Sequence, residues 1–483
     1  MNVAQSPLPS HMGTCLIVAD FLTAEECAAY IAQAEQRGFL SAELDYPPSY
    51  RNNDRQVLDD PALAARLWQR LTTRITLPED DGWIPQGINE RLRLCRYRPG
   101  QRFNIHRDGV HHRGEYVRSK LTFMIYLTDG DDFGGGDTLF FTGGPECIGN
   151  PGHLVARIRP RRGSLIVFDH DLWHAGEEVT CGSKHILRSD ILYRNTAATP
   201  AAPGHHGYAW TLLRLADGRI ASAGRDATIR LWQPDGEPDA LWRGHRQSVL
   251  GLAQLSDGRV ASISRDRSLR WWNRQGQCLN EVAAHDAAGL CITALPQGRL
   301  ASGGADHRIH IWSGNGQHLA SCQGHQGWIW GLATDGQDRL FSASEDGHAM
   351  AWTYDGIALS TLAGDVPLRG IDIRKDAAHT RFAVGDANGW VRCGHIDAQG
   401  FTLTRRLRAH AAAIRRVRFL SHGQLATCGE DGALRIWAED ATTLIHEYNQ
   451  SQFVTDVIES GPSCWIACGY NGQLTWHAGQ AIA

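Results

Sequence analysis

The period of the hydrophobic pattern changes along this chain. From Phe21 to Gly38 apolar residues recur at helical spacing in Phe-Leu-Thr-Ala-Glu-Glu-Cys-Ala-Ala-Tyr-Ile-Ala-Gln-Ala-Glu-Gln-Arg-Gly. Thr23 stands where an N-cap belongs, Glu26 can complete a capping box, and Gly38 can end the helix. A polar, proline-containing segment from Asp45 to Arg55 follows. Pro61 to Thr73 then places Leu63, Ala64, Leu67 and Leu71 on one side of a second helix. From Leu92 the period becomes two. The runs Leu92–Tyr97, Leu121–Leu127, Leu139–Phe141, Ser164–Phe168 and Ile186–Tyr193 alternate with Gly-rich turns and predict short antiparallel strands of a barrel or jelly roll.

Beyond a Pro/Ala/Gly-rich stretch the pattern repeats. An aspartate followed six residues later by a tryptophan occurs as Asp226/Trp232, Asp266/Trp272, Asp306/Trp312, Asp346/Trp352 and Asp431/Trp437, the first four copies forty residues apart. His245, His285, His325 and His410 precede four of these aspartates, with Gly244 and Gly324 before two of them. This period resembles the WD40 family, in which each repeat supplies a four-stranded propeller blade. Two degenerate copies run through Asp386, with Arg392 at the tryptophan position, and through Asn471 and Trp476, so the resemblance implies seven blades. Regular His and Asp positions invite a metal reading. A closed hydrogen-bond network of His, Asp, a Ser such as Ser262 and Trp at each turn accounts for them better.

At 483 residues the chain exceeds one core, and the patterns divide it into residues 1–196, a linker at 197–208 and a propeller at 209–483. The fold expected is mainly β, a jelly-roll domain with flanking helices followed by the propeller. A net charge of −4 argues against nucleic-acid binding through bulk electrostatics, although Arg157 to Arg162 holds four arginines. No apolar run is long enough for a membrane span, and the first residues show neither a charged leader nor a signal-peptide core. Twelve cysteines scattered singly read as free thiols in a reducing cytoplasm.

Candidate chemistry concentrates in the first domain. His106 and Asp108 lie two apart and share one side of a strand, while His174 follows in Phe168-Asp-His-Asp-Leu-Trp-His-Ala-Gly. Two imidazoles and a carboxylate can occupy one face of an octahedral iron and leave the other positions open. His170 lies four residues before His174 and would face the same way on a continuous strand. His111 and His112 sit in a polar loop and read as solvated; that loop and the Asp45–Arg55 segment are candidates for a substrate lip.

These residues sit within motifs of a known family. Tyr97-Arg-Pro-Gly-Gln-Arg-Phe-Asn-Ile-His-Arg-Asp, Leu121-Thr-Phe-Met-Ile-Tyr-Leu-Thr, Gly134-Gly-Gly-Asp-Thr-Leu-Phe and His174-Ala-Gly-Glu-Glu-Val-Thr-Cys-Gly-Ser-Lys follow in order. Residues 15 to 195 thereby resemble the prolyl 4-hydroxylase-like 2-oxoglutarate/Fe(II) oxygenases. The resemblance implies that His106, Asp108 and His174 hold Fe(II), with 2-oxoglutarate and O2 as cosubstrates and ascorbate as a candidate reductant. It matches Lys184 to the cation that binds the far carboxylate of 2-oxoglutarate. Arg188, four residues on and on the same side of an unbroken strand, is a rival or helper. Tyr126 and Tyr97 match tyrosines that hydrogen-bond the cosubstrate, and read equally well as core residues with one polar end.

The implied activity is a dioxygenase hydroxylating a substrate recruited by the propeller, a protein side chain first and proline as the family-level favourite. Two alternatives stand beside it: an interaction scaffold whose oxygenase domain senses oxygen or 2-oxoglutarate, and a small-molecule hydroxylase. The expected partner is a protein, with neither membrane nor nucleic acid.

Overall fold

The computed structural model describes residues 6–44, 46–47, 50–80, 82–111, 113, 116–142, 152–196, 204–376, 379–450 and 452–478. The chain separates into two compact units, Met1–Ala202 and Pro203–Ala483. No described helix is long and apolar enough to cross a membrane.

In the first unit, β1 (Cys15–Val18) leads into α1 (Ala24–Arg37), and β2 (Leu40–Ser41) and β3 (Asp54–Asp59) precede α2 (Pro61–Thr72). Both helices start as their sequences dictate. Thr23 and Glu26 form the capping box of α1, and the Asp60 carboxylate caps α2 ahead of a proline at its first turn. Strands β4 (Trp83–Ile88), β5 (Arg91–Tyr97), β6 (Phe103–His106), β7 (Val117–Tyr126), β8 (Phe133–Gly135), β9 (Thr138–Phe141), β10 (Leu154–Ile158), β11 (Leu165–Asp169), β12 (Trp173–Gly176), β13 (Val179–Gly182) and β14 (Lys184–Asn195) complete the unit.

These strands form a large antiparallel sheet ordered β1-β11-β7-β14-β5-β3-β2, with β4 on the far half of β14, and a smaller sheet ordered β10-β9-β12-β6. Alternation along β7 sorts its residues between two cores. Leu121, Phe123 and Ile125 pack with Leu63, Leu67 and Leu71 of α2. Met124 and Tyr126 face the other way, into a core shared with Phe103 and Phe140 of the smaller sheet. Each face of the large sheet is thus covered, one by helices and one by the second sheet, as in a jelly roll.

The polar Asp45–Arg55 segment contains structure that its composition hides. Asp54 and Arg55 begin β3, and Arg51 is buried, its guanidinium on Asn53 and over the Phe103 ring. Three of the four arginines of the basic run are paired: Arg157 and Arg159 with Asp137, Arg157 also with Glu177, and Arg162 with Asp132.

Among the described residues the second unit forms seven successive antiparallel sheets, six of four strands and a last of three. First and last sheets share a core of Ala209, Leu212, Ile458 and Ile466. Asp456 accepts from Thr211 Oγ1 at 3.1 Å and Leu212 N at 3.0 Å across the junction. The network inferred for the repeats is present. His245 binds Asp266 at 3.0 Å and Ser262 at 2.7 Å, and Trp272 Nε1 donates to the same Ser262 at 2.8 Å. Equivalent networks centre on His285, His325 and His410.

A fifth such histidine is His205, bound to Asp226 at 2.9 Å and Ser222 at 2.8 Å. It lies inside the 197–208 stretch read from sequence as linker, so that stretch is not linker throughout. Its spacing of 21 residues to Asp226 matches His245 to Asp266 and was the available signal. Arg392 replaces the tryptophan without loss of the blade, buried beside Asp386 at 3.9 Å. Trp328 is buried, and Trp330 is partly buried with its indole N–H on Glu345 at 2.7 Å.

Candidate metal centre

His106 ends β6 and His174 lies on β12, its direct neighbour in the smaller sheet, where the two are register partners. Asp108 is two residues beyond β6 and is anchored there by its own N–H, which donates to His170 O at 3.0 Å. Strand pairing and one turn therefore bring three residues from distant positions to one point. Their candidate ligand atoms all lie within 4.8 Å of one another. Asp108 Oδ1 is 3.5 Å from His106 Nε2, and Oδ2 is 3.6 Å from His174 Nε2.

The second nitrogen of each ring explains its orientation. His106 Nδ1 is 2.7 Å from Asn104 O, and His174 Nδ1 is 2.9 Å from Leu172 O. A carbonyl can only accept, so each Nδ1 carries the proton and each Nε2 presents a lone pair to the centre. His106 Nε2 is buried and has no hydrogen-bond partner among the described residues. A buried polar atom left unpaired costs on the order of 1–3 kcal/mol, and a metal ion at this point would remove the cost. Phe103 stacks on His106 with centroids 3.5 Å apart, and Phe168 meets the His174 ring edge-on at 4.7 Å.

The electrostatics suit a cation. Burial, with His106 next to it, pushes His174 down to about 3, and burial also lowers His106, so both rings are neutral ligands near pH 7. Burial would raise Asp108, but Arg188 and the two imidazoles outweigh it and hold the carboxyl well below its usual range. Arg188 makes a close ion pair with Asp108 Oδ1, and the Thr122 hydroxyl donates a short hydrogen bond to Oδ2. Two neutral nitrogens and one carboxylate, with the carboxylate oriented by further partners, fit a divalent iron.

Lys184 begins β14, opposite Tyr97 of β5, and is buried. Its ammonium donates to Gly136 O at 2.7 Å and sits 5.5 Å from the Tyr97 ring centre and 5.7 Å from that of Tyr126. Gly136, at φ +72°, belongs to the Gly134–Gly136 turn, where a Cβ on Gly135 would lie 2.2 Å from Glu178 O. Burial lowers Lys184 to about 8. Tyr126 donates to Thr138 Oγ1 at 2.8 Å, and burial raises its phenol; burial pushes Tyr97 up to about 12. The two candidate cations therefore differ. Arg188 is occupied by Asp108, whereas the ammonium of Lys184 has a neutral carbonyl as acceptor.

His170 is turned elsewhere, with Nδ1 3.5 Å from Ser119 Oγ and Nε2 3.8 Å from Asp190 Oδ1. His111 is half-buried, its backbone bonded to Ser119, and His112 lies outside the described residues. Sequence reasoning missed Thr122, although it stands four residues before Tyr126 on the same face of β7. The carbonyls of Asn104 and Leu172 carry no side-chain signal at all.

Comparison with known proteins agrees with both halves. Residues 92–189 match the 2OG-Fe(II) oxygenase superfamily. Residues 236–273, 276–313, 316–353 and 401–438 match the WD domain, G-beta repeat. The chain is similar to WD repeat-containing protein JIP5 of Laccaria bicolor, 29% identical over 100 residues. That alignment covers 19% of this chain and 24% of the relative, so the chain spans about a quarter of that protein's length. The WD40 beta propeller domain of Doa1 resembles 58% of this chain, over 95% of its own length, with a TM-score of 0.53 and 18% identity, a likeness of fold alone. This chain joins a domain of the 2OG-Fe(II) oxygenase superfamily to a WD40-repeat propeller.

Proposed function

We propose that the first domain is an Fe(II)- and 2-oxoglutarate-dependent dioxygenase that hydroxylates a substrate recruited by the propeller. The observation that carries this reading is the convergence of His106, Asp108 and His174, with both Nδ1 atoms tied to carbonyls and both Nε2 atoms turned to one carboxylate. When bound, iron and 2-oxoglutarate supply a two-electron oxidation in which 2-oxoglutarate and O2 yield succinate and CO2 while a substrate C–H becomes C–OH.

Each side chain has a task in that reaction. His106, Asp108 and His174 would hold Fe(II) through two neutral nitrogens and one carboxylate, a ligand set that would leave room for the cosubstrates. Thr122 and Arg188 keep the Asp108 carboxylate oriented and ionised. Lys184, its ammonium between the Tyr97 and Tyr126 rings, would bind the far carboxylate of 2-oxoglutarate. Phe103, Phe140 and Phe168 make the surroundings of the two imidazoles apolar.

The test is an anaerobic titration of Fe(II) and 2-oxoglutarate into the full chain, following the visible charge-transfer band. A band that disappears in His106→Ala and weakens in Lys184→Ala supports the site. No band in folded wild-type protein rejects it.

For the propeller we propose recruitment of a protein substrate, with proline the first side chain to examine; the WD-repeat match supports this reading. Affinity capture by the full-length His106→Ala chain tests it. A captured protein that gains one oxygen atom on incubation with wild type supports recruitment, and captured proteins that all stay unmodified reject it. A reducing cytoplasm is the compartment proposed, supported by free thiols at the eleven described cysteines.

A further inference from the structure

The third blade, built from Gly289–Leu295, Arg299–Gly304, Ile309–Trp312 and His318–Cys322, differs at one position from the first, second and sixth blades. The residue two before the blade tryptophan is an arginine in those three, Arg230, Arg270 and Arg435, whereas the fourth blade has Met350 there. Each pairs with an acid of its own blade: Arg230 with Asp226 at 3.7 Å, Arg270 with Glu281 at 3.0 Å, and Arg435 with Asp431 and Glu447, both at 2.7 Å. Glu281 and Glu447 are the register partners of Arg270 and Arg435 on the outer strand. In the third blade His310 takes the arginine's place and Ser321 that of the acid. A charge pair has been exchanged for an imidazole and a hydroxyl, and a second imidazole, His318, comes to meet them.

The three polar atoms form a tight triangle. His310 Nδ1 is 3.1 Å from His318 Nε2 and 2.9 Å from Ser321 Oγ, and His318 Nε2 is 2.9 Å from Ser321 Oγ. Linear hydrogen bonds cannot run along all three edges at once, because each neutral ring nitrogen is a donor or an acceptor but never both. A triangle of this size is small enough for a cation just above its plane to reach all three atoms at about 2.0–2.1 Å, the usual Zn–N distance. The neighbouring His285 and Asp306 do not supply ligands. Both nitrogens of His285 are already used, at 3.0 Å by Asp306 and 2.9 Å by Ser302, as in every sister network. Asp306 nevertheless places a carboxylate close by, its oxygen within 4.8 Å of a His310 nitrogen.

We infer that His310, His318 and Ser321 form a binding site for a zinc-like divalent transition cation, clamping the outer strand of the third blade, with a fourth position open to solvent. Burial lowers His310 to about 4, so its ring is a neutral ligand at pH 7.

The experiment is a Zn2+ titration of the full chain against a competing chromophoric chelator. Because the oxygenase-domain cluster also offers zinc a site, it is run on wild type, His106→Ala, His310→Arg and the double variant. His310→Arg installs the residue that the first, second and sixth blades carry. It is expected to lose one zinc equivalent and keep the other, His106→Ala to do the reverse, and the double variant to lose both. His318→Ala, a change at an exposed side chain, is expected to weaken the same propeller equivalent about tenfold or more. Equal zinc stoichiometry and affinity in wild type, His310→Arg and His318→Ala overturn the inference.

Discussion

The two domains use the same residue types to opposite ends. In the propeller His245 has both ring nitrogens bonded, to Asp266 at 3.0 Å and to Ser262 at 2.7 Å, and Trp272 closes the network. In the oxygenase domain His106 has one nitrogen bonded to a carbonyl, while the other stands 3.5 Å from Asp108 with no hydrogen-bond partner among the described residues. A satisfied histidine stabilises a fold. One held rigidly with a lone pair unspent is prepared for a ligand, and stability is given up to keep it so. A buried His beside an Asp is therefore no indication of a metal until the second nitrogen is accounted for.

Substitutions on the two sides should separate these roles. The largest effect is expected from His106→Ala, which removes a proposed ligand and should abolish the Fe(II)/2-oxoglutarate absorption band while leaving thermal unfolding of the propeller unchanged. A band surviving in that variant would break the comparison. His245→Ala should do the reverse. It takes one hydrogen bond each from half-buried Asp266 and buried Ser262 and should cost the propeller about 1–3 kcal/mol in denaturant unfolding, with the band intact. Loss of iron binding without loss of stability would contradict the structural role.

Smaller effects sharpen the contrast. Thr122→Val removes the hydroxyl that orients Asp108 and should weaken metal affinity about tenfold to a hundredfold, measured by competitive titration. An unchanged affinity would make Thr122 a packing residue only. The smallest effect concerns pH. Burial depresses Lys184 from 10.5 to about 8, so the ammonium proposed to meet the far carboxylate is present below pH 8 and lost above it. 2-Oxoglutarate affinity should then fall by up to about tenfold per pH unit between pH 8 and 9, and Lys184→Arg should flatten that slope. The same shift bears on stability. Because the folded state binds fewer protons than the unfolded state between pH 8 and 10.5, Lys184 opposes folding fully below pH 8, and that cost is relieved as pH rises. A slope identical in wild type and Lys184→Arg would remove Lys184 from the cosubstrate site.

Much of this was legible in the chain. The capping box of α1, the period-two runs of β5, β7 and β14, and the repeat aspartates and tryptophans all appear where local rules place them, because each depends on neighbours a few residues away. The short strands β1, β12 and β13 were not legible, since their four residues show no clear alternation between turn signals. β3 was hidden because Asp54, Arg55 and Gln56 are polar and their partners lie across the sheet. His205 was concealed by the Pro- and Ala-rich composition around it, although its spacing to Asp226 was readable.

Sequence alone determined that a carboxylate stands two residues after His106, that Lys184 and Arg188 share one side of a strand, and that a forty-residue unit recurs. Only the tertiary structure decided what those residues meet. It brought His174 rather than His170 to His106 and Asp108, gave Arg188 to Asp108, and left Lys184 with a neutral carbonyl between two tyrosines. It also turned His318 toward His310, eight residues away around a turn. The reason is physical: periodicity fixes which side of a strand a residue occupies, but partners are chosen by register between strands far apart in the chain. No local pattern encodes that register.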